Sequence, residues 1–155
     1  MSRYLGAKMV TATAMTRQEY NDYRGWSLPA DENGADEGYL VESMDGGQSN
    51  HPGHAGYISW SPGDLFDKEY RPVSEMSFGL AVEALKHGRR VARSGWNGKG
   101  MWLKLVPKDL ADAVAFQHAA LDALPWIGMK TADDRFVPWL ASQTDVLADD
   151  WQIVD

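Results

Sequence analysis

Apolar residues fall at helical spacing most clearly in the stretch SFGLAVEALKHG. There Phe78, Ala81, Val82 and Leu85 share a face, Ser77 stands at the N-cap and Gly88 lies just past the end. A stripe of that period between a hydroxyl cap and a glycine stop predicts a helix. TRQEYNDYRG opens with Thr16 and Glu19 at capping-box spacing and closes at Gly25, which predicts a second, short helix. Alternating or β-rich runs predict strands at AKMVTATAM, GYLVES and GYISW, the last two separated by the loop MDGGQSNHPGHA. Ser61 and Pro62 then offer an N-cap and a first-turn proline for a helix over PGDLFDKEY.

Further along, RRVAR and GMWLKLV predict two strands joined by the turn SGWNGK, and KDLADAVAFQHAALDALP is an alanine-rich helix starting near Asp109. WIGMKT and RFVPW bracket ADD as a hairpin, SQTDVLAD predicts a short capped helix, and WQIVD a final strand. From Ser77 onward the order is α-β-β-α-β-β-α-β, without alternating parallel βα units. The fold class is therefore α+β, two small modules of short antiparallel strands with one to three helices each.

Charge divides the chain as well. Residues 1–75 carry 6 basic and 12 acidic side chains, whereas residues 76–155 carry 9 and 10. The break near YRPVSEMSFG places one module at 1–74 and a second at 75–155. The net charge of −7 argues against a protein that coats DNA or RNA, but Lys86, Arg89, Arg90, Arg93, Lys99, Lys104 and Lys108 form one basic stretch without an acid. The chain has no cysteine, so disulfides and thiolate metal sites are excluded. No apolar run approaches the roughly 20 residues that span a bilayer. MSRYLGAKMVTATAM lacks the apolar core of a secretory signal, and residence in the compartment of synthesis is expected.

The basic stretch contains two tryptophans. Trp102 is expected on a strand with Lys104 and Val106 on its face, where it can serve as core. Trp96 sits in a glycine-flanked turn between Arg93 and Lys99, where an indole can stack on a base while cations meet phosphate oxygens. Ser142 and Asp145 have capping-box spacing, and the same helix start, with Gln143 and Thr144, suits ribose hydroxyls or phosphates. Trp126, Trp139 and Trp151 are expected as half-buried packing residues at strand ends. His51 and His54 stand at metal-ligand spacing in HPGH without a third ligand, and a solvated loop is the expected state. The adjacent pairs Asp133-Asp134 and Asp149-Asp150 suit turns or caps. No recognised hydrolase, metalloprotease or P-loop motif is present.

MSFGLAVEALKHGRRVARSGWNGKGMWLKLVP followed by PWIGMKTADDRFVPWLASQTDVLADDWQIV resembles the phage Thoeris anti-defence family of the second type, over nearly all of 76–155 except about 108–124. The resemblance implies a homotetramer that sequesters cyclic ADP-ribose isomers made by host TIR proteins in the host bacterial cytoplasm. It implies no catalysis, no cofactor and no metal, and some relatives also hold cyclic oligonucleotides. It places stacking on Phe78 and Trp96 and polar ligand contacts among Thr131, Ser142, Gln143, Thr144 and Asp145. With Arg93, Asn97, Lys99 and Trp139 these are the candidate ligand residues. Asp134 stands where the family pattern has a hairpin glycine. Residues 1–74 resemble another recurrent phage domain without a named activity, whose Tyr and Trp residues are expected as core.

The leading expectation is thus a protein that binds a nucleotide signal, with neither a membrane nor a nucleic-acid polymer as partner. An enzyme that degrades the same signal, with Asp145 or Asp150 as acid or base, and a virion or host-interaction protein are the alternatives.

Overall fold

The computed structural model describes residues 1–45, 47–96, 100–109 and 124–154. Its contacts fall into two compact units, Met1–Tyr70 and Arg71–Asp155. Residues just after the division belong with the second unit, because the Val73 carbonyl accepts from the Ile153 N–H. The architecture is α+β, with a three-stranded and a five-stranded antiparallel sheet.

In the first unit, β1 (Val10–Ala14), β2 (Gly38–Ser43) and β3 (Tyr57–Pro62) lie in sequence order. Helix α1 (Arg17–Arg24) begins at the expected capping box: Thr16 accepts from the Glu19 N–H and Glu19 reaches back to the Thr16 N–H. It stops at Gly25 with φ 68°, a left-handed conformation that glycine takes without strain. Helix α2 (Gly63–Glu69) departs from expectation. Ser61 and Pro62 remain in the β3 ladder opposite Tyr39 and Gly38, so the cap position falls on Pro62, whose ring offers no hydrogen-bonding group. Tyr20, Leu40 and Ile58 form the core, flanked by Met15 and Trp60. Not all the aromatics are core, however: Tyr4, Tyr23, Trp26 and Tyr57 are exposed.

The second unit carries the sheet order β7-β6-β5-β4-β8. Its strands are β4 (Val91–Arg93), β5 (Trp102–Val106), β6 (Trp126–Lys130), β7 (Phe136–Pro138) and β8 (Trp151–Ile153). Helix α3 (Phe78–Lys86) starts where Ser77 accepts from the Leu80 N–H, and Gly88 takes φ 78° beyond its end. The face formed by Ala81, Ala84 and Leu85 closes over Val91, Leu103, Met76 and Trp151. Trp151 has no exposed surface, and Met76 brackets it through a pair of backbone hydrogen bonds, 2.7 and 3.1 Å. The alanine-rich helix expected to start near Asp109 lies almost wholly outside the described residues.

Strand alternation sends Leu103 into this core and Trp102 to the opposite face, so Trp102 is half-buried but not part of the main cluster. Its ring lies 6.0 Å from Phe136, which in turn lies 5.7 Å from Trp126, and Arg90 sits over it at 5.2 Å. Gly128 leaves room for Phe136 to cross the sheet there: a Cβ at Gly128 would come within 2.1 Å of the Phe136 ring. The β6–β7 turn accepts Asp134 in place of glycine with φ 59°, a left-handed conformation that aspartate tolerates. Lys130 pairs with the Asp134 carboxylate at 2.6 Å.

Candidate functional site, an aromatic cluster beside a capped helix

Trp151, fixed at the centre of the second unit, has three aromatic neighbours drawn from separate elements. Phe78 comes from the first turn of α3, Trp96 from the turn after β4, and Trp139 from just beyond β7. Their ring centroids lie 5.4, 5.5 and 6.0 Å from that of Trp151. Trp139 also meets Phe78 at 6.0 Å and Trp96 at 6.4 Å. Edge and tilted contacts dominate, the arrangement that the ring quadrupole favours. Phe78, Trp96 and Trp139 are each half-buried, so the cluster is anchored in the core and open at its edge. The structure thus brings together three of the residues singled out from the sequence, and it makes Trp96 a core-packing residue as well as a turn residue.

Beside them, helix α4 (Gln143–Val146) begins with the predicted box. Ser142 accepts from the Asp145 N–H, and Asp145 accepts from the Ser142 N–H at 3.2 Å and from the Ser142 hydroxyl at 2.6 Å. The Thr144 hydroxyl lies 2.8 Å from that of Ser142. Ser142, Gln143 and Thr144 are exposed. The Trp151 indole N–H donates to the Asp145 carbonyl at 2.9 Å, which ties the helix to the aromatic cluster.

Arg93, the last residue of β4, is committed to the same framework. Its Nε donates to Asp150 at 2.8 Å, while a terminal nitrogen donates to Asp145 at 3.1 Å. Asp150 additionally accepts from the Ser94 hydroxyl and the Gly95 N–H, so it holds the turn that presents Trp96. These bonds, that to Arg93 foremost, keep the Asp150 carboxyl below the usual carboxylate range. Burial pushes Asp145 up, but the bonds from Ser142 and Arg93 outweigh it and leave its carboxyl lowered as well. The Arg93 guanidinium is correspondingly held further into its charged form, through Asp150 first and Asp145 second. The sequence missed this linkage, since its partners stand 52 and 57 residues away. The adjacent DDW, which puts a carboxylate beside the central tryptophan, was the available signal.

Thr131 lies apart, in the β6–β7 turn, where its hydroxyl is engaged with Asp133 at 2.5 Å and with the Arg135 backbone. Asn97 and Lys99 lie outside the described residues. In the first unit the HPGH histidines are half-buried and partnered, not freely solvated: His54 contacts Glu42 at 2.8 Å and Tyr23 at 2.9 Å, and the His51 ring packs tilted against Tyr23 at 4.6 Å. Among the described residues no group of three or more His, Asp or Glu side chains is arranged to hold a metal ion, and no helix is long and apolar enough to cross a membrane.

The second unit is thus a small α+β domain whose antiparallel sheet supports an open-edged aromatic cluster next to a hydroxyl-lined helix start. Residues 76–154 match the model of the Thoeris anti-defense 2-like domain. Thoeris anti-defense 2 of Bacillus phage SP01 is 49% identical over 86 residues, covering 97% of that protein and 52% of this chain. The chain belongs to the Thoeris anti-defense 2-like family.

Proposed function

We propose that this protein counters Thoeris defence by binding a cyclic ADP-ribose-type signal made by host TIR proteins and holding it, uncleaved, away from its effector in the host bacterial cytoplasm. The observation that carries the reading is the open edge of the Phe78, Trp96 and Trp139 cluster beside the exposed hydroxyls of Ser142 and Thr144. An adenine on such an edge gains about 1–3 kcal/mol per stacked base. The Ser142–Asp145 helix start is the proposed source of polar contacts at this edge, with Asn97 and Lys99 of the segment that follows Trp96.

Two features support binding without catalysis. The carboxylates that an enzyme would use, Asp145 and Asp150, are stabilised in their ionised form by Arg93 and by the helix and turn they hold. A general acid instead needs its proton near neutral pH. The aromatic edge also presents apolar surface on one protomer, which suits a ligand pocket completed by other copies in a homotetramer. Nanomolar binding requires roughly −12 kcal/mol, more than a single stacked base supplies. Cyclic oligonucleotides are proposed as a second class of signal for this protein.

The test is titration calorimetry of the protein against cyclic ADP-ribose isomers and cyclic di- and trinucleotides, followed by heat denaturation and chromatography of the released ligand. Binding with quantitative recovery of unaltered ligand is expected. A converted product would favour the degrading enzyme.

A further inference from the structure

The first unit contains a chain of three hydrogen-bonding side chains that the function proposed above does not use. Tyr23 is on α1, Glu42 on β2 and His54 at the far end of the loop that leads into β3. His54 Nδ1 lies 2.8 Å from Glu42 Oε2, and the other carboxylate oxygen accepts from the Gly56 N–H at 2.8 Å. The carboxylate is thereby fully engaged, and the hydrogen bond from His54 foremost keeps it below the usual carboxylate range. A carboxylate is an acceptor, so the imidazole proton sits on Nδ1 and the lone pair of neutral His54 is on Nε2. That nitrogen is 2.9 Å from the Tyr23 hydroxyl, which is the donor when the imidazole is neutral.

The two inner members are shielded, with side chains of His54 and Glu42 at 16% and 18% exposure, whereas Tyr23 is 42% exposed. The His51 ring packs against Tyr23 with centroids 4.6 Å apart, tilted by 31°. A hydroxyl held on a histidine that is oriented by a half-buried carboxylate is the arrangement by which a weak oxygen nucleophile is activated.

We propose that Tyr23, His54 and Glu42 form a general-base relay that makes the Tyr23 phenol an acyl acceptor toward uncharged esters. In the step, the Tyr23 oxygen attacks the ester carbonyl and its proton passes to His54 Nε2. Collapse then breaks the bond to the leaving oxygen, which takes that proton or departs as the anion, leaving an acyl-Tyr23 ester. Glu42 stabilises the imidazolium that forms in between. Residues 1–70 carry 5 basic and 11 acidic side chains, so a neutral ester suits the site better than a phosphodiester, which this field repels.

The experiment uses the full chain with 4-nitrophenyl acetate as the probe, following nitrophenolate release and locating the acetyl group by peptide mass spectrometry. Tyr57, 45% exposed, is an internal control of matched accessibility. General-base assistance is commonly worth about 10²–10⁴-fold, and acetylation of Tyr23 at least about tenfold faster than of Tyr57 is expected. His54→Asn should bring Tyr23 down to the Tyr57 rate, Glu42→Gln should lower it part of the way, and Tyr23→Phe should abolish the fast release. Equal rates at Tyr23 and Tyr57 in the unaltered protein would overturn the proposal, whether or not the variants fold. Fast release that survives Tyr23→Phe would also overturn it, by making His54 itself the nucleophile.

Discussion

Arg93→Ala should destabilise the second unit, with a size set by the exposure of its partners. The Arg93 side chain is 23% exposed, Asp145 15% and Asp150 33%. Surface ion pairs contribute about 0–1 kcal/mol, while breaking a buried one costs about 3–5. Two half-buried pairs sharing one guanidinium lie between these limits. Asp145 keeps Ser142, and Asp150 keeps Ser94 and Gly95, so neither carboxylate is left without a partner. A loss of about 2 kcal/mol follows, which for a unit of this size lowers Tm by roughly 8–16 °C. Arg93→Lys should recover only part, since an ammonium cannot bridge both carboxylates in the planar fork.

The effect should depend on pH in a defined sense. Both carboxyls are depressed in the folded state, so their contribution is present above the ordinary carboxylate range and is lost as pH falls through the lowered values. The gap between wild type and Arg93→Ala should therefore close in acid. Calorimetric or circular-dichroism melts at neutral and acid pH provide the measurement. A variant that melts within about 2 °C of wild type at neutral pH, corresponding to less than about 0.5 kcal/mol, would refute the linkage of β4 to α4 and β8.

Trp96→Ala should weaken signal binding by about 1–3 kcal/mol per lost stack, and because Trp96 also packs on Trp151 it should lower Tm, whereas Trp96→Phe should restore most of both; calorimetry and melting on the same samples separate the two effects. Gly128→Ala should displace the ring of Phe136, which a new Cβ would overlap, and because Phe136 is 48% exposed and its ring can swing away, the cost should stay below about 1 kcal/mol as read by chemical denaturation with tryptophan fluorescence. A chain beginning at Arg71 should fold and bind the signal with nearly unchanged affinity, whereas one beginning after Val73 should be less stable through loss of the Val73–Ile153 hydrogen bond; scattering, melting and calorimetry on the two truncations test both statements.

Much of this architecture is written in local signals. The Thr16–Glu19 and Ser142–Asp145 boxes, the Ser77 cap and the glycine stops each satisfy backbone groups within a few residues, so helix positions could be read directly. Ser61 misled because its hydroxyl and Pro62 look like a helix start, but pairing with β2 outcompetes the cap. Alternation showed that Trp102 and Leu103 oppose each other, but which face meets α3 is decided by the whole sheet. Phe78, Trp96 and Trp139 were legible as candidates through chemistry and family resemblance. Their convergence on Trp151, and the commitment of Arg93 to two aspartates, depend on tertiary pairing and carry no local signature. The Tyr23–His54–Glu42 chain is the same case: HPGH is visible, but its partners lie on other elements.

Sequestration differs from degradation in the fate of the ligand. The most direct measurement incubates the protein with an equimolar cyclic ADP-ribose isomer that it binds, removes free ligand by filtration, denatures the complex by heat, and assays the released molecule by mass spectrometry and by activation of a Thoeris effector. Full recovery of intact, active signal, in proportion to protein binding sites, is the predicted result. Release of a linear or hydrolysed product, or a ligand that never partitions with the protein, would contradict the account.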